Sequence, residues 1–308
     1  MVDDELFSLS IEVEDALARR RPIIALESTV IAHGLPAPQN LETARRLEKI
    51  VKAAGAVPAT IAILDGKLCV GLNDEQIRFI AHGDDLKKVS TRDLPVAIAA
   101  RWNGATTVAS TIWIAQRAGL QVFATGGIGG VHRGSGRDVS ADLPELARTP
   151  IVVVCSGAKI VLDLHATREW LETFGITIAG YQCDELPAFY SRASGLPVDV
   201  RVDSPLEVVQ LLKAQRRLGT LSSLLVTVPV PREAEVSAAA IERVLEEAMA
   251  QARFRIISGR DLTPFLLAQM SEKSEGATLR ANIALLENNV RVATEIACAL
   301  SNNTADTF

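Results

Sequence analysis

The apolar positions of this chain gather into short, predominantly apolar runs at residues 22–26, 58–64, 120–124, 151–155, 177–180 and 224–228. None alternates polar with apolar side chains, so each reads as a strand buried on both faces. Between the runs the apolar positions take helical spacing: 40–54, from 73 onward, 94–103, 107–118, from about 142, from Lys159 to about 173, 205–218 and 233–252. Thr263-Pro264 and Ala277-Thr278 open the last helices. Local punctuation supports these bounds. Asn40 and Asn73 suit helix N-caps, Gly104 a left-handed helix end, Asp203-Ser204-Pro205 a helix start and Asp65-Gly66 a two-residue hairpin into 67–70. Strands alternating with helices at this rhythm predict an α/β/α sandwich with a mixed, largely parallel central sheet. We find no repeat and no linker, so residues 1–308 are expected to form one domain, with 1–21 as an amphipathic helical extension ending in Arg19, Arg20 and Arg21.

Composition narrows the class. With 48% hydrophobic and 22% charged residues over 308 positions, the chain is that of a soluble, enzyme-sized globular protein. A net charge of -5 argues against a nucleic-acid surface. The four cysteines lie far apart without a CxxC pair, which suggests neither a zinc cluster nor a disulfide framework and suits a reducing cytoplasm. The acidic start MVDDELFSLS lacks the marks of a secretion signal, and no apolar run reaches the length of a membrane span.

The candidate chemistry concentrates in FATGGIGGVHRGSGRDVSADLPELARTPIVVVCSGAK, residues 123–159. Gly126, Gly127, Gly129, Gly130, Gly134 and Gly136 follow one apolar strand, and this density of glycine marks a backbone approached closely by a ligand or by other chain. The pattern fits neither a P-loop nor a GxGxxG loop. His132, Arg133, Asp138 and Asp142 follow, and a second apolar strand delivers Ser156, Gly157 and Lys159. In α/β proteins ligands sit where strand C-termini open into loops, so these two openings are the expected active site. Asp138 and Asp142 are hard oxygen ligands suited to Mg²⁺ or Mn²⁺; Asp142 also suits a helix N-cap. Glu27, at the mouth of strand 22–26, suits a capping carboxylate or a catalytic acid equally. Lys159, after a fully apolar strand, would have its amine pKa lowered by the surroundings and become a nucleophile, with Lys88 pushing the same way; the plain alternative is a surface lysine in the first turn of a helix. Lys88 and Arg92 read by themselves as a solvated basic pair, and Phe189 and Tyr190 as core aromatics.

The segments ALESTVIAHGLP, PATIAILDGK, KVSTRDLP, GATTV, ATGGIGGVHRG, DVSADL, SGAK, DELPAFYSR and TPFLLA, in this order, resemble the pseudouridine-5′-phosphate glycosidase family from about residue 22 to 299. The resemblance implies reversible cleavage of pseudouridine 5′-phosphate to uracil and ribose 5-phosphate, with Mn²⁺, by a homotrimer of α/β/α subunits. It implies Lys159 as nucleophile and Glu27 as proton donor, Asp138 as Mn²⁺ ligand, and Lys88, Val108, Ser140, Ala141 and Asp142 as substrate contacts, with Thr125, His132 and Asn282 in the same pocket. The chain departs from the family pattern in a shorter SGR stretch before Asp138, and in Val228 where an asparagine is expected before the proline. A Schiff-base aldolase acting on another sugar phosphate, or a non-catalytic sugar-phosphate-binding protein, would use much the same residues.

Overall fold

The structure is a computed structural model that describes residues 5–134, 138–257 and 262–304. In chain order the first part supplies β1 (Phe7–Leu9), α1 (Ile11–Ala18), β2 (Ile23–Glu27), a π-helical turn (Val30–Gly34), α2 (Gln39–Ala53), β3 (Val57–Leu64), β4 (Lys67–Val70), α3 (Asp74–His82), β5 (Lys87–Val89), α4 (Leu94–Ala99) and β6 (Gly104–Thr106). There follow α5 (Val108–Arg117), β7 (Val122–Ala124), β8 (Val131–His132), α6 (Asp142–Leu146), β9 (Val152–Cys155), β10 (Leu162–Asp163), α7 (Leu164–Thr173) and β11 (Thr177–Tyr181). The chain continues with β12 (Val200–Val202), α8 (Pro205–Leu218), β13 (Leu224–Thr227), α9 (Ala238–Phe254), α10 (Leu262–Lys273) and α11 (Ala277–Thr304).

Apart from β8 and β10, which pair only with each other, the strands form one sheet in the order β1-β4-β3-β2-β7-β9-β13-β11-β12, with β6 paired to β3 and β5 to β6. Within this sheet pairing is parallel except where β3 meets β4 and β6. The apolar runs have the expected cause: helices cover both sides of the sheet, and Val152, Val153 and Val154 of β9 are fully buried. Helix α11 packs along β2, β7 and β9 between α2 and α8, while α5 lies on β2 and β3 with α6 against it. The α/β/α sandwich with its mixed, largely parallel sheet is therefore as the pattern predicts. The hairpin also matches: Asp65 and Gly66 both take positive φ, as a two-residue turn between β3 and β4 requires. Asn73 and Ser204 cap α3 and α8 as expected.

Several local expectations are corrected. The stretch predicted as one N-terminal helix is divided: residues 1–4 lie outside the described residues, Phe7–Leu9 add in parallel to β4, and α1 begins only after Ser10, whose hydroxyl accepts from Val13 N. Asn40 is not an N-cap. It lies inside α2, buried, with its amide donating to Ile31 O at 3.1 Å and Ala81 O at 2.9 Å, so it satisfies carbonyls of the π-helical turn and of α3. Gly104 is a strand residue; α4 ends earlier and Arg101 takes the left-handed position instead. Residues 232–234 form a separate 3₁₀ turn, and the long helix starts only at Ala238 behind Ser237. Strands β1, β5, β6 and β12 are too short for periodicity to register, and form because they have partners distant in sequence.

Candidate active site

The sheet reverses its winding between β2 and β7. From β2 the chain steps outward to β3, whereas from β7 it steps the other way through β9 to β13, so the loops leaving β2 and β7 diverge and leave a crevice at the strand C-termini. Glu27 closes β2, Thr125 follows β7 and Lys159 lies four residues beyond β9, whose parallel register places all three exits at one end of the sheet. Past Glu27 the chain is pinned. Ser28 Oγ donates to Ile61 O at 2.6 Å and accepts from Thr106 N at 2.8 Å, and Thr29 Oγ1 donates to Thr106 O at 2.7 Å.

The glycine-rich loop is held by the loop that carries Lys159. Ile128 N donates to Gly157 O and Lys159 N to Ile128 O, each at 3.0 Å, and β8 then pairs antiparallel with β10. Gly157 has φ +82°, and a Cβ there would strike Pro187 O. A Cβ on Gly127 would lie 2.7 Å from the Phe189 ring. The glycines thus let three loops interlock against each other, and their backbone is not simply left open to an anion. Lys159 is not in a helix: α7 starts at Leu164, and the half-buried Lys159 side chain donates from Nζ to Gly127 O at 2.6 Å.

These loops surround a cavity of about 390 Å³. Of the residues expected in the site, Glu27, Lys88, His132, Asp138, Ser140, Ala141, Asp142, Lys159 and Asn282 line it. Thr125 lies just beneath, 1% exposed, with its hydroxyl donating to Glu27 Oε1. Val108 is buried as the first residue of α5 and is not among the lining residues; its neighbour Thr107 is. The basic pair Lys88 and Arg92 faces this cavity and not open solvent alone. Phe189 is buried as expected of a core aromatic, yet its ring also forms part of the cavity wall. His33, from the π-helical turn, lines the cavity and was given no role by the sequence.

Glu27 is 8% exposed. Burial raises its pKa above the ordinary carboxylate range, opposed by the positive field of Lys159, the Thr125 hydrogen bond and Lys88, and reinforced by Asp142. A carboxyl whose burial favours the acid form, placed beside an amine, can give a proton to a leaving group. Asp142 does not cap its own helix. Its oxygens accept from Ala109 N at 2.9 Å and Gly129 N at 2.7 Å, tying α5 to the glycine-rich loop. Asp138 stands exposed at the rim, and its carbonyl accepts from His132 N at 2.8 Å. Residues 135–137, the short SGR stretch, lie outside the described residues. Val228 packs in the core, 3% exposed, away from the cavity lining. Among the described residues no group of three His, Cys, Asp or Glu side chains could hold a metal ion, and no helix is long and apolar enough to cross a membrane.

Fold and site together define an α/β enzyme whose cavity, at the switch point of a largely parallel sheet, sets a buried acid beside a lysine amine. The chain belongs to the family of indigoidine synthase A-like proteins, which matches residues 12–299. It is 50% identical over 300 residues to the pseudouridine-5′-phosphate glycosidase of Caldanaerobacter subterraneus subsp. tengcongensis, covering 97% of this chain and 98% of that one. The corresponding protein of Geobacillus kaustophilus is 47% identical over 300 residues, covering 97% and 100%. Among solved structures, the prealnumycin C-glycosynthase in complex with ribulose 5-phosphate superposes with a TM-score of 0.91 at 41% identity, covering 99% of this chain and 100% of that one. An indigoidine synthase A-like protein from Thermotoga maritima gives 0.89 at 38% identity, covering 96% and 97%.

Proposed function

We propose that this chain is a pseudouridine-5′-phosphate glycosidase that cleaves the C–C glycosidic bond reversibly to uracil and ribose 5-phosphate. The observation that carries the reading is the convergence of Glu27, its pKa raised by burial, and Lys159 on one cavity. A C-glycoside has no leaving oxygen between sugar and base, so the two-carboxylate route of ordinary glycosidases does not apply. Lys159 instead adds to C1′ as the ribose ring oxygen departs with a proton from Glu27. The added nitrogen then loses a proton, its freed lone pair forms C1′=N as the C1′–C5 bond breaks, and uracil C5 takes up that bond's electrons and one proton in place of the one the nitrogen gave up. Water hydrolyses the iminium, releases ribose 5-phosphate and restores the amine. The complex of the related C-glycosynthase with ribulose 5-phosphate supports this, because a 2-ketopentose esterified at O5 cannot close a furanose ring and so resembles a ring-opened sugar.

Lys88 and Arg92 supply positive charge at the cavity wall for the phosphate. Ser140, Ala141, Asp142, His132, Asn282 and Val108 complete the substrate contacts in this reading, Val108 through the start of its helix. Asp138 would hold Mn²⁺, its carboxylate oxygens being donors suited to a hard divalent ion. That ion would supply positive charge against the phosphate. The protein would act as a homotrimer in the cytoplasm; exposed Phe254 and Ile256, each 88% exposed, offer apolar area for contact between copies, and the thiols of all four cysteines are unpaired with one another.

The test is incubation of pure protein with pseudouridine 5′-phosphate and Mn²⁺. Free uracil and ribose 5-phosphate in equal amounts are expected, and uracil with ribose 5-phosphate should condense in reverse. Absence of uracil, with turnover of another sugar phosphate, would favour the aldolase reading; sugar-phosphate binding with no turnover would leave a binding protein.

A further inference from the structure

Where helix α11 crosses the sheet it buries Leu285, Leu286, Val290 and Ala293, and between them it carries a fully buried asparagine, Asn289. Burying an amide is tolerated only when its hydrogen bonds are made. Asn289 makes them to the two strand exits of the active site. Its Nδ2 donates to Thr125 O at 2.8 Å and to Gly126 O at 3.3 Å, and its Oδ1 accepts from Ser156 Oγ at 3.1 Å. Two carbonyls facing one nitrogen fix the orientation of the amide. The peptide it grips is the one that matters chemically: Thr125 donates its hydroxyl to Glu27, and Gly127, the next residue after Gly126, offers the carbonyl that holds Lys159 Nζ. Ser156 opens the loop that carries Lys159, and its own N–H donates to Gly126 O at 2.9 Å.

We propose that Asn289 is a positioning residue that sets the placement of the proton donor Glu27 relative to the amine of Lys159, by fastening the exits of β7 and β9 to each other and to α11. It touches neither substrate nor reacting atoms. An apolar residue would fill the same space in the helix but would leave the two exits joined by their backbone bonds alone. This inference rests on the roles given above to Glu27 and Lys159.

The experiment measures uracil release by the full-length protein with Mn²⁺, as kcat and KM across pH, for the parent, Asn289→Leu and Thr294→Val. Thr294 is buried on the same helix but bonds only within it, to Val290 O at 2.7 Å, so its variant reports loss of helix stability alone. For Asn289→Leu, kcat per folded molecule should fall by about tenfold to a hundredfold, as a small misplacement of reacting groups does, with KM within about threefold of the parent. The high-pH limb of kcat should also move upward, because a loosened Thr125 no longer stabilises the Glu27 carboxylate. The other charged groups facing Glu27 are Lys159, Asp142 and Lys88, and none is altered. Thr294→Val should keep the parent kcat and limb. If Asn289→Leu does not fold, Ser156→Ala, which removes one arm of the clamp, decides: the same shifts at smaller size support the role, and a parent-like profile overturns it. Parent-like kcat and limb in folded Asn289→Leu, or losses in Thr294→Val of the same kind, overturn it too. A parent that releases no uracil overturns the proposed function and the positioning role with it.

Discussion

Replacing Thr125 with valine isolates the hydroxyl that steadies Glu27. Thr125 is 1% exposed and Glu27 8%, so the bond between them lies out of water, and valine keeps the shape while deleting the donor. A hydrogen bond to a charged group contributes about 1.5–3 kcal/mol, which at 1.36 kcal/mol per unit corresponds to about 1–2 pH units. Burial already raises the Glu27 pKa; losing the donor removes one of the influences that lower it, so the pKa rises further. Because the reaction needs the protonated acid, the high-pH limb of kcat for uracil release should move up by about 1–2 units. Stability follows the same sign. A carboxyl whose folded pKa exceeds its unfolded value contributes fully at pH below the ordinary carboxylate range and loses that contribution as pH rises through the folded value. The deficit of Thr125→Val against the parent should therefore be larger on the alkaline side than at about pH 5, by up to the 1.5–3 kcal/mol of the lost bond, roughly. Initial-rate profiles and urea melts at several pH values measure both. A limb that stays put or moves down, or a deficit independent of pH, would refute the reasoning that Thr125 acts through the Glu27 carboxylate.

Three further outcomes are expected. Lys159→Arg should fold and bind ribose 5-phosphate but release no uracil, since a guanidinium cannot form the imine; borohydride should trap one sugar-phosphate adduct on the parent in the SGAK peptide, and an adduct on another lysine would contradict the assignment. Asp138→Ala should lose its response to added Mn²⁺ while its melting temperature stays near the parent's, because the side chain is exposed at the rim; an unchanged Mn²⁺ titration would mean the ion is held elsewhere. Gly127→Ala puts a methyl 2.7 Å from the Phe189 ring and 3.0 Å from Gly157 O, so it should cost about 1–3 kcal/mol and lower kcat by displacing the carbonyl that holds Lys159; a variant with parent melting and kcat would show that the loops can yield there.

The sequence by itself determined the layered fold and the end of the sheet where chemistry gathers. Runs such as Val152 to Cys155, without a polar position, can only be strands covered on both faces, and such strands place their ligands at their C-terminal exits. The motif series was equally legible, because many segments in a fixed order constrain identity far more than any single residue type. Tertiary structure alone decided which polar residues act together. Lys88 and Arg92 look like a solvated pair because nothing local reveals that β5 pairs with β6 and so brings Lys88, and the turn after it that carries Arg92, to the cavity wall. Asp142 looks like a cap for its own helix, yet its oxygens accept from the N–H groups of Ala109 and Gly129, two segments distant in sequence that meet it only in the folded chain. Asn40 looks like a cap and Asn289 like one polar residue among several in a long helix; both are buried brackets between distant segments. Periodicity reports how a residue relates to its own element. Hydrogen bonds that join the ends of different elements depend on the register of the sheet and the packing of helices across it, and these form only when the whole chain has folded.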